Sequence, residues 1–265
     1  MTGLSGLEQA AYREHGYVIP EFRLSDAEVN RIRQTVDDMI KNNPDVRPEH
    51  LVNAHIAGGS EEGVKGADEI LALTRHPGIL DQVESVLGPD IVLWGCQVFC
   101  KPAGDGMEVP WHQDGHYWPI RPLANCTVWV AIDDSTTENG CLRVMPGSHE
   151  PGELFEHNAD SRERLTLNQA VDESVMSRYD AADVELDAGQ MSLHDVFLIH
   201  GSNQNTSVKR RAGIAIRYMP ATSVFERDLI EPGDSSGFKV DFSKRPLWLL
   251  RGRDVSGRND FEVGH

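Results

Sequence analysis

Trp111-His112-Gln113-Asp114 puts an imidazole and a carboxylate two residues apart. In an extended segment alternate side chains leave on the same side, so both can meet one metal ion. A third ligand is offered by His200, at the end of the apolar run Val196-Phe197-Leu198-Ile199 and just before Gly201-Ser202. Two histidines and one carboxylate on one face of an ion leave three coordination positions open, the arrangement of non-haem iron(II) oxygenases. His-x-Asp alone also arises by chance, and eleven histidines offer many third partners. Arg211, eleven residues after His200, adds a separate signal, because a guanidinium fork suits bidentate recognition of a carboxylate. In a strand Arg211, Gly213, Ala215 and Arg217 share one face, which predicts a cationic site with small neighbours beside the metal. The opposing reading makes Arg210 and Arg211 a solvated turn.

The elements that must position these residues follow from periodicity. Ser25 precedes DAEVNRIRQTVDDMIKNN, where Val29, Ile32, Val36, Met39 and Ile40 recur at spacings of three and four, so a capped amphipathic helix is predicted. Residues 44 to 67 hold prolines and glycines with little periodicity and are expected to form a long functional loop that could act as a lid. From Ala67 to Leu87 the pattern is helical again, broken at His76-Pro77 and closed by Gly88-Pro89. After Pro89 short β-rich runs take over: IVLWGCQVF, CTVWVAI, CLRVM, DVELD, QMSLHDVFLIH and AGIAIRYM. Helices first and many short strands later, without βαβ alternation, predict a mainly β sandwich or jelly roll with helices packed outside.

A length of 265 residues without repeats or a low-complexity linker predicts one domain, with a helical part (1–90), a β core (91–220) and a C-terminal extension (221–265). Basic residues number 25 against 42 acidic, a net charge of -17 that would repel nucleic acid and anionic membrane surfaces. A small anionic ligand is not excluded, since a pocket carries its own field. Cys96, Cys100, Cys126 and Cys141 read as buried thiols of a reducing compartment. No secretory or membrane-spanning pattern is visible, which makes the cytoplasm the expected location. Asn125-Cys-Thr and Asn205-Thr-Ser are chance matches to the glycosylation pattern in such a protein.

Three ordered strings, WHQDGHYWPIRP, NGCLRVMPGSH and LIHGSNQN with an arginine eleven residues after its histidine, resemble the phytanoyl-CoA dioxygenase family of iron(II)- and 2-oxoglutarate-dependent oxygenases. The resemblance spans roughly Trp94 to Pro220. It implies a double-stranded β-helix (a jelly-roll, cupin-like core), iron held by His112, Asp114 and His200, and 2-oxoglutarate anchored by Arg211. Ser202, Trp129 and Gln97 fall on positions that line the cosubstrate pocket in the family, and Thr127 shares the face of Trp129. The expected reaction consumes dioxygen and 2-oxoglutarate, releases succinate and carbon dioxide, and hydroxylates an unactivated C–H bond. Relatives that halogenate lack the metal carboxylate, so Asp114 favours hydroxylation. The segment after Pro220 is covered by no motif.

For the substrate, His116, Trp118, Arg121 and Arg217 are candidate wall residues, with Asn53 and His55 candidates to close over the site. Arg121, Arg217 and Arg143 are candidate anion partners. Scattered Arg and Lys on an acidic chain form no stripe for coenzyme A phosphates, so a small polar or anionic metabolite is expected. His149 in PGSH is expected to be structural. Competing readings are a cupin-like metal isomerase or hydrolase without cosubstrate, and a binding relative that has lost turnover. Oligomeric state is not legible.

Overall fold

A computed structural model describes residues 3–59, 63–229 and 242–265. The predicted amphipathic helix is Asp26–Asn42, where Ser25 accepts from the Glu28 backbone and the Glu28 side chain reaches back to the Ser25 N–H. Such a reciprocal cap contributes about 1 kcal/mol. The second helical stretch divides at the expected place, into Asp68–Thr74 and Pro77–Leu87, because proline cannot continue a helix but is suited to its first turn. A further capped helix, Gly6–His15, precedes them.

Among the described residues, one antiparallel sheet orders its strands as Tyr17–Val18, Met191–Asp195, Cys126–Ala131, Arg211–Pro220, Ile91–Lys101 and Trp248–Arg251, with Leu51–Val52 also pairing to Ile91–Lys101. A second sheet runs Ala182–Val184, Leu142–Val144, His200–Ser202 and Val109–His112. The chain is a jelly roll. Strand parity assigns the two faces of the large sheet. Ala212, Ile214, Ile216 and Tyr218 join Val128, Val130 and the helix residues Val29, Ile32 and Val36 in one core. Ala215, Trp129 and Ala131 face the other way and pack with Leu142, Val144 and Leu198 of the small-sheet side. The alternation is that of a sheet covered on both faces, by helices on one and by a second sheet on the other.

Two expectations need correction. QMSLHDVFLIH is not one strand: Met191–Asp195 and His200–Ser202 lie in different sheets. The Asp195 side chain accepts from the Phe197 N–H and its carbonyl from the Leu198 N–H, turning the chain between the sheets. An unbroken apolar run hides such a crossing, because every residue in it is wanted inside. The 44–67 stretch, of which residues 60–62 lie outside the described residues, is also more anchored than a lid. Leu51 and Val52 pair with Val98 and Gln97, and Leu51 and Ala54 are fully buried. It therefore forms wall rather than flap.

The four cysteines are free and buried, as expected. Asn125 is only 2% exposed, which suits a chance glycosylation match. Among the described residues no helix is long and apolar enough to cross a membrane.

Candidate metal centre

His112 ends the strand Val109–His112, and its direct cross-strand partner is His200. Partners across an antiparallel ladder bring their Cβ atoms to about 5 Å, and the two rings stand with centroids 4.2 Å apart. Gln113 continues the extended backbone before Asp114 opens a short 3-10 turn, so Asp114 returns to the side of His112. Gln113 points the opposite way and is fully buried. It donates to the carbonyls of Glu153 and Phe197 and accepts from the Phe155 N–H, pinning the strand end.

One ligand atom each from His112, Asp114 and His200 falls within 4.8 Å of the others. Both histidines bond a backbone carbonyl through Nδ1, His112 to Pro110 at 2.8 Å and His200 to Leu198 at 2.9 Å. With the Nδ1 hydrogen so engaged, each Nε2 lone pair is directed at the common centre, the tautomer a metal requires. The donor set of two imidazoles and one carboxylate fits a hard-to-borderline divalent ion with open positions, as iron(II) requires. Burial and the adjacent His112 keep His200 well below the ordinary histidine range, hence neutral and able to ligate. Burial tends to raise the Asp114 carboxyl, but contacts with the neighbouring His112 and His194 rings, with the His200 ring and the Arg217 charge close by, outweigh it and hold Asp114 ionised.

A buried hydrogen-bond chain stands behind Asp114. The Trp94 indole N–H donates to Asn125 at 2.7 Å, Asn125 donates to the Thr127 hydroxyl at 3.1 Å, and Thr127 donates to Asp114 Oδ2 at 3.3 Å. Groups that orient a ligand in this way commonly account for 10–100-fold of metal affinity. Thr127→Val keeps the shape and removes the donor. Iron(II) affinity, measured by equilibrium dialysis, is expected to fall by about 10- to 100-fold.

The triad opens into a cavity of about 250 Å³ that is also lined by Gln97, Thr127, Trp129, Ser202 and Arg211. The shared-face expectation for the strand Arg211–Pro220 is met: Arg211, Ala215 and Arg217 all line this cavity. Gly213 is glycine because Trp129 lies across it; a Cβ there would stand 2.0 Å from the Trp129 ring. Arg211 is buried, with its guanidinium carbon 5.1 Å from the Trp129 ring centroid, and its Nε and Nη2 both donate to the Gly140 carbonyl. Burial lowers its pKa to about 10, which leaves it charged at neutral pH.

Of the other candidates, Trp118 lines the cavity beside Arg217. The remaining substrate candidates stand outside its lining. His116 is exposed and stacks on His157 at 4.1 Å. Arg121 is exposed and donates to the carbonyls of Trp118 and Ile120. Arg143 pairs with Asp183 at 2.8 Å. Asn53 is buried, holds a left-handed backbone with φ 57 and accepts from Arg245. His55 packs edge-on against Trp248 at 4.7 Å. The segment after Asp114 alternates: Trp118 and Ile120 turn inward, while His116 and Arg121 are left exposed. His149 contacts the Arg13 carbonyl and lies apart from the metal ligands.

His55 supplies a pH signature. Burial, with the charges of Arg245 and Arg217, depresses its pKa to about 3 from 6.5. The unfolded chain therefore takes up a proton below about pH 6.5 that the folded chain refuses. Stability present above pH 6.5 is lost as the pH falls toward about 3, at up to about 1.4 kcal/mol per pH unit. Chemical denaturation across pH 4 to 7 should show a shallower slope for His55→Gln than for the native chain.

The site also contains residues that no sequence pattern singled out. His194 lines the cavity, with Nε2 3.9 Å from Asp114 Oδ2 and its ring 4.7 Å from His200. Its place six residues before His200, in the same run, was the available signal. Arg245 and Phe242 reach the cavity from the C-terminal extension, whose strand Trp248–Arg251 is added beside Ile91–Lys101.

A jelly roll with two imidazoles and one carboxylate in a cavity that also holds a buried arginine defines the class of mononuclear iron oxygenases using a keto-acid cosubstrate. The chain matches the family described as Phytanoyl-CoA dioxygenase (PhyH) over residues 12–213, and it belongs to that family. It is 26% identical to the peroxisomal phytanoyl-CoA dioxygenase of Bos taurus, over 96% of this chain and 83% of that one. It is 27% identical to the L-proline trans-4-hydroxylase of Streptomyces griseoviridis, over 80% of this chain and 85% of that one. Among solved structures, the apo form of the non-heme monooxygenase ThoJ matches with a TM-score of 0.69 and 27% identity, over 94% of this chain and 85% of that one. The chain is a 2-oxoglutarate-dependent non-haem iron dioxygenase, with iron(II) and 2-oxoglutarate as cofactors.

Proposed function

We propose that this enzyme hydroxylates an unactivated C–H bond of a small polar or anionic metabolite in the cytoplasm. His112, Asp114 and His200 hold the iron. Arg211 and Ser202 take the distal carboxylate of 2-oxoglutarate, with Trp129 and Gln97 forming the walls of that end. Bound iron(II), with 2-oxoglutarate and dioxygen, supplies the oxidising power and releases succinate and carbon dioxide.

The protein's own part is binding, orientation and exclusion of water. Pro110 and Leu198 carbonyls fix the two imidazoles, and Thr127 fixes the carboxylate. Trp129 covers one face of Arg211, which keeps the guanidinium dry and strengthens its hold on an anion. Trp94, Trp118 and Phe242 give the opposite end an aromatic lining. A cavity of about 250 Å³ suits a small metabolite.

The observation that carries this reading is the single cavity shared by the three converging ligand atoms and the buried Arg211. The test is an aerobic screen of metabolites with iron(II) and 2-oxoglutarate, scoring succinate release together with a mass gain of one oxygen. A product formed without 2-oxoglutarate would overturn the reading.

A further inference from the structure

Arg217 lines the same cavity as the metal triad and acts on Asp114 through its charge, yet among the described residues no carboxylate stands in ion-pair contact with it. Among the described residues it makes no ion pair, and its buried Nε has no hydrogen-bond partner. Its guanidinium carbon lies 5.4 Å from the ring centroid of Trp118 and 5.9 Å from that of Trp94. The two indoles meet edge to face at 4.6 Å, and Trp94 is locked by its bond to Asn125. Cation–π contacts of this kind hold a guanidinium in place without neutralising it. A half-buried cation left with open donors is costly unless a ligand completes it.

The cosubstrate cannot be that ligand if it is anchored at Arg211. Six residues of strand separate Arg211 from Arg217, about 20 Å at the usual rise per residue, and side chains stand roughly perpendicular to a sheet. Asp114 contributes the only carboxylate among the described lining residues, and it faces the metal ligands. On the neighbouring strands Arg217 is flanked by Gly95 and Thr127. Gly95 adds no side chain on one side, and Thr127 already serves Asp114 on the other. A register shift directly after Arg217 re-aims the strand there, as bulges commonly do beside functional sites.

From this arrangement we infer that the substrate carries a free carboxylate, bound by the Arg217 fork between Trp94 and Trp118. One planar guanidinium with flat walls matches one planar carboxylate. The aromatic surroundings then receive the apolar part of a small carboxylic acid, with its reactive carbon toward the triad. Arg217 is thus a specificity residue. The inference rests on the assignment of Arg211 and the triad made above.

Intrinsic tryptophan fluorescence reads this slot directly, because two indoles form its walls. The probes are acetate, cyclohexanecarboxylate and benzoate, each against its primary amide, titrated anaerobically into the iron(II) protein with 2-oxoglutarate saturating its own site. At least one acid is expected to bind tenfold or more tightly than its amide, and Arg217→Gln should bring that ratio close to one. Arg217→Lys, which keeps the charge but loses the fork, should retain part of the preference and serves where the glutamine variant does not fold. Acids and amides behaving alike, including no response to either, overturns the inference. So does an acid preference that survives in Arg217→Gln. Failure of the iron and cosubstrate assignment looks different: no succinate is released in air with any probe, while the acid preference persists.

Discussion

His112→Ala is expected to abolish succinate release and oxygen incorporation together, and to lower iron(II) affinity by more than about 100-fold. The bound comes from groups one step further out, whose loss alone commonly reduces metal affinity by 10- to 100-fold. The substitution removes one of the three converging ligand atoms and leaves His200 and Asp114 too few to hold a divalent ion firmly. Equilibrium dialysis measures the metal, and mass spectrometry with a succinate assay measures the chemistry. Retention of coupled turnover in this variant would mean that the ion sits elsewhere. The fold should tolerate the change, because His112 lies at a strand end that Gln113 fastens independently.

Arg211→Gln is expected to raise the 2-oxoglutarate concentration needed for half-maximal turnover by about 30-fold or more. Truncating one partner of a buried, hydrogen-bonded charge pair costs about 2–5 kcal/mol, and each 1.4 kcal/mol is a factor of ten. The geometry makes the upper part of that range reasonable. Nε and Nη2 each give one hydrogen to the Gly140 carbonyl, which leaves the second Nη2 hydrogen and both Nη1 hydrogens of this cavity-lining side chain for an anion. Steady-state kinetics in 2-oxoglutarate check this, and a shift confined to the other substrate would count against the assignment. Since burial places the Arg211 pKa at about 10, its charge persists below that pH and is lost above it. Cosubstrate affinity should therefore weaken as the pH rises past about 10.

Much of the site was legible because its residues are fixed by short-range geometry. Alternation in an extended segment puts His112 and Asp114 on one side, and the same rule puts Arg211 and Arg217 on one face of their strand. The capped helix Asp26–Asn42 and the break at His76-Pro77 follow equally from local chemistry. What stayed hidden depends on contacts between distant segments. Thr127 is a candidate for the cosubstrate pocket from the sequence, but its bond to Asp114, and the link through Asn125 to Trp94, are announced by nothing in Asn125-Cys-Thr. The strand Trp248–Arg251 joins a sheet edge more than 150 residues upstream, a pairing set by tertiary packing. His116 and Arg121 stand outside the lining although Tyr117 and Trp118 between them are in it, because side-chain direction along a 3-10 turn and a short strand is set by local geometry and not by closeness along the chain.

The strand Arg211–Pro220 is held on both edges, by Ile91–Lys101 and by Cys126–Ala131. With the roles proposed above for Arg211 and Arg217, it works as a fixed ruler carrying one anion receptor near each end, with the interval between them set by backbone pleats rather than by flexible loops. Chemistry at the Arg217 end can be exchanged one side chain at a time while the Arg211 end keeps its grip on the common reagent. A one-residue slip, by contrast, would turn both receptors out of the cavity together. Altered substrate choice in such a scaffold should thus arise by substitution along this strand, and hardly ever by insertion within it.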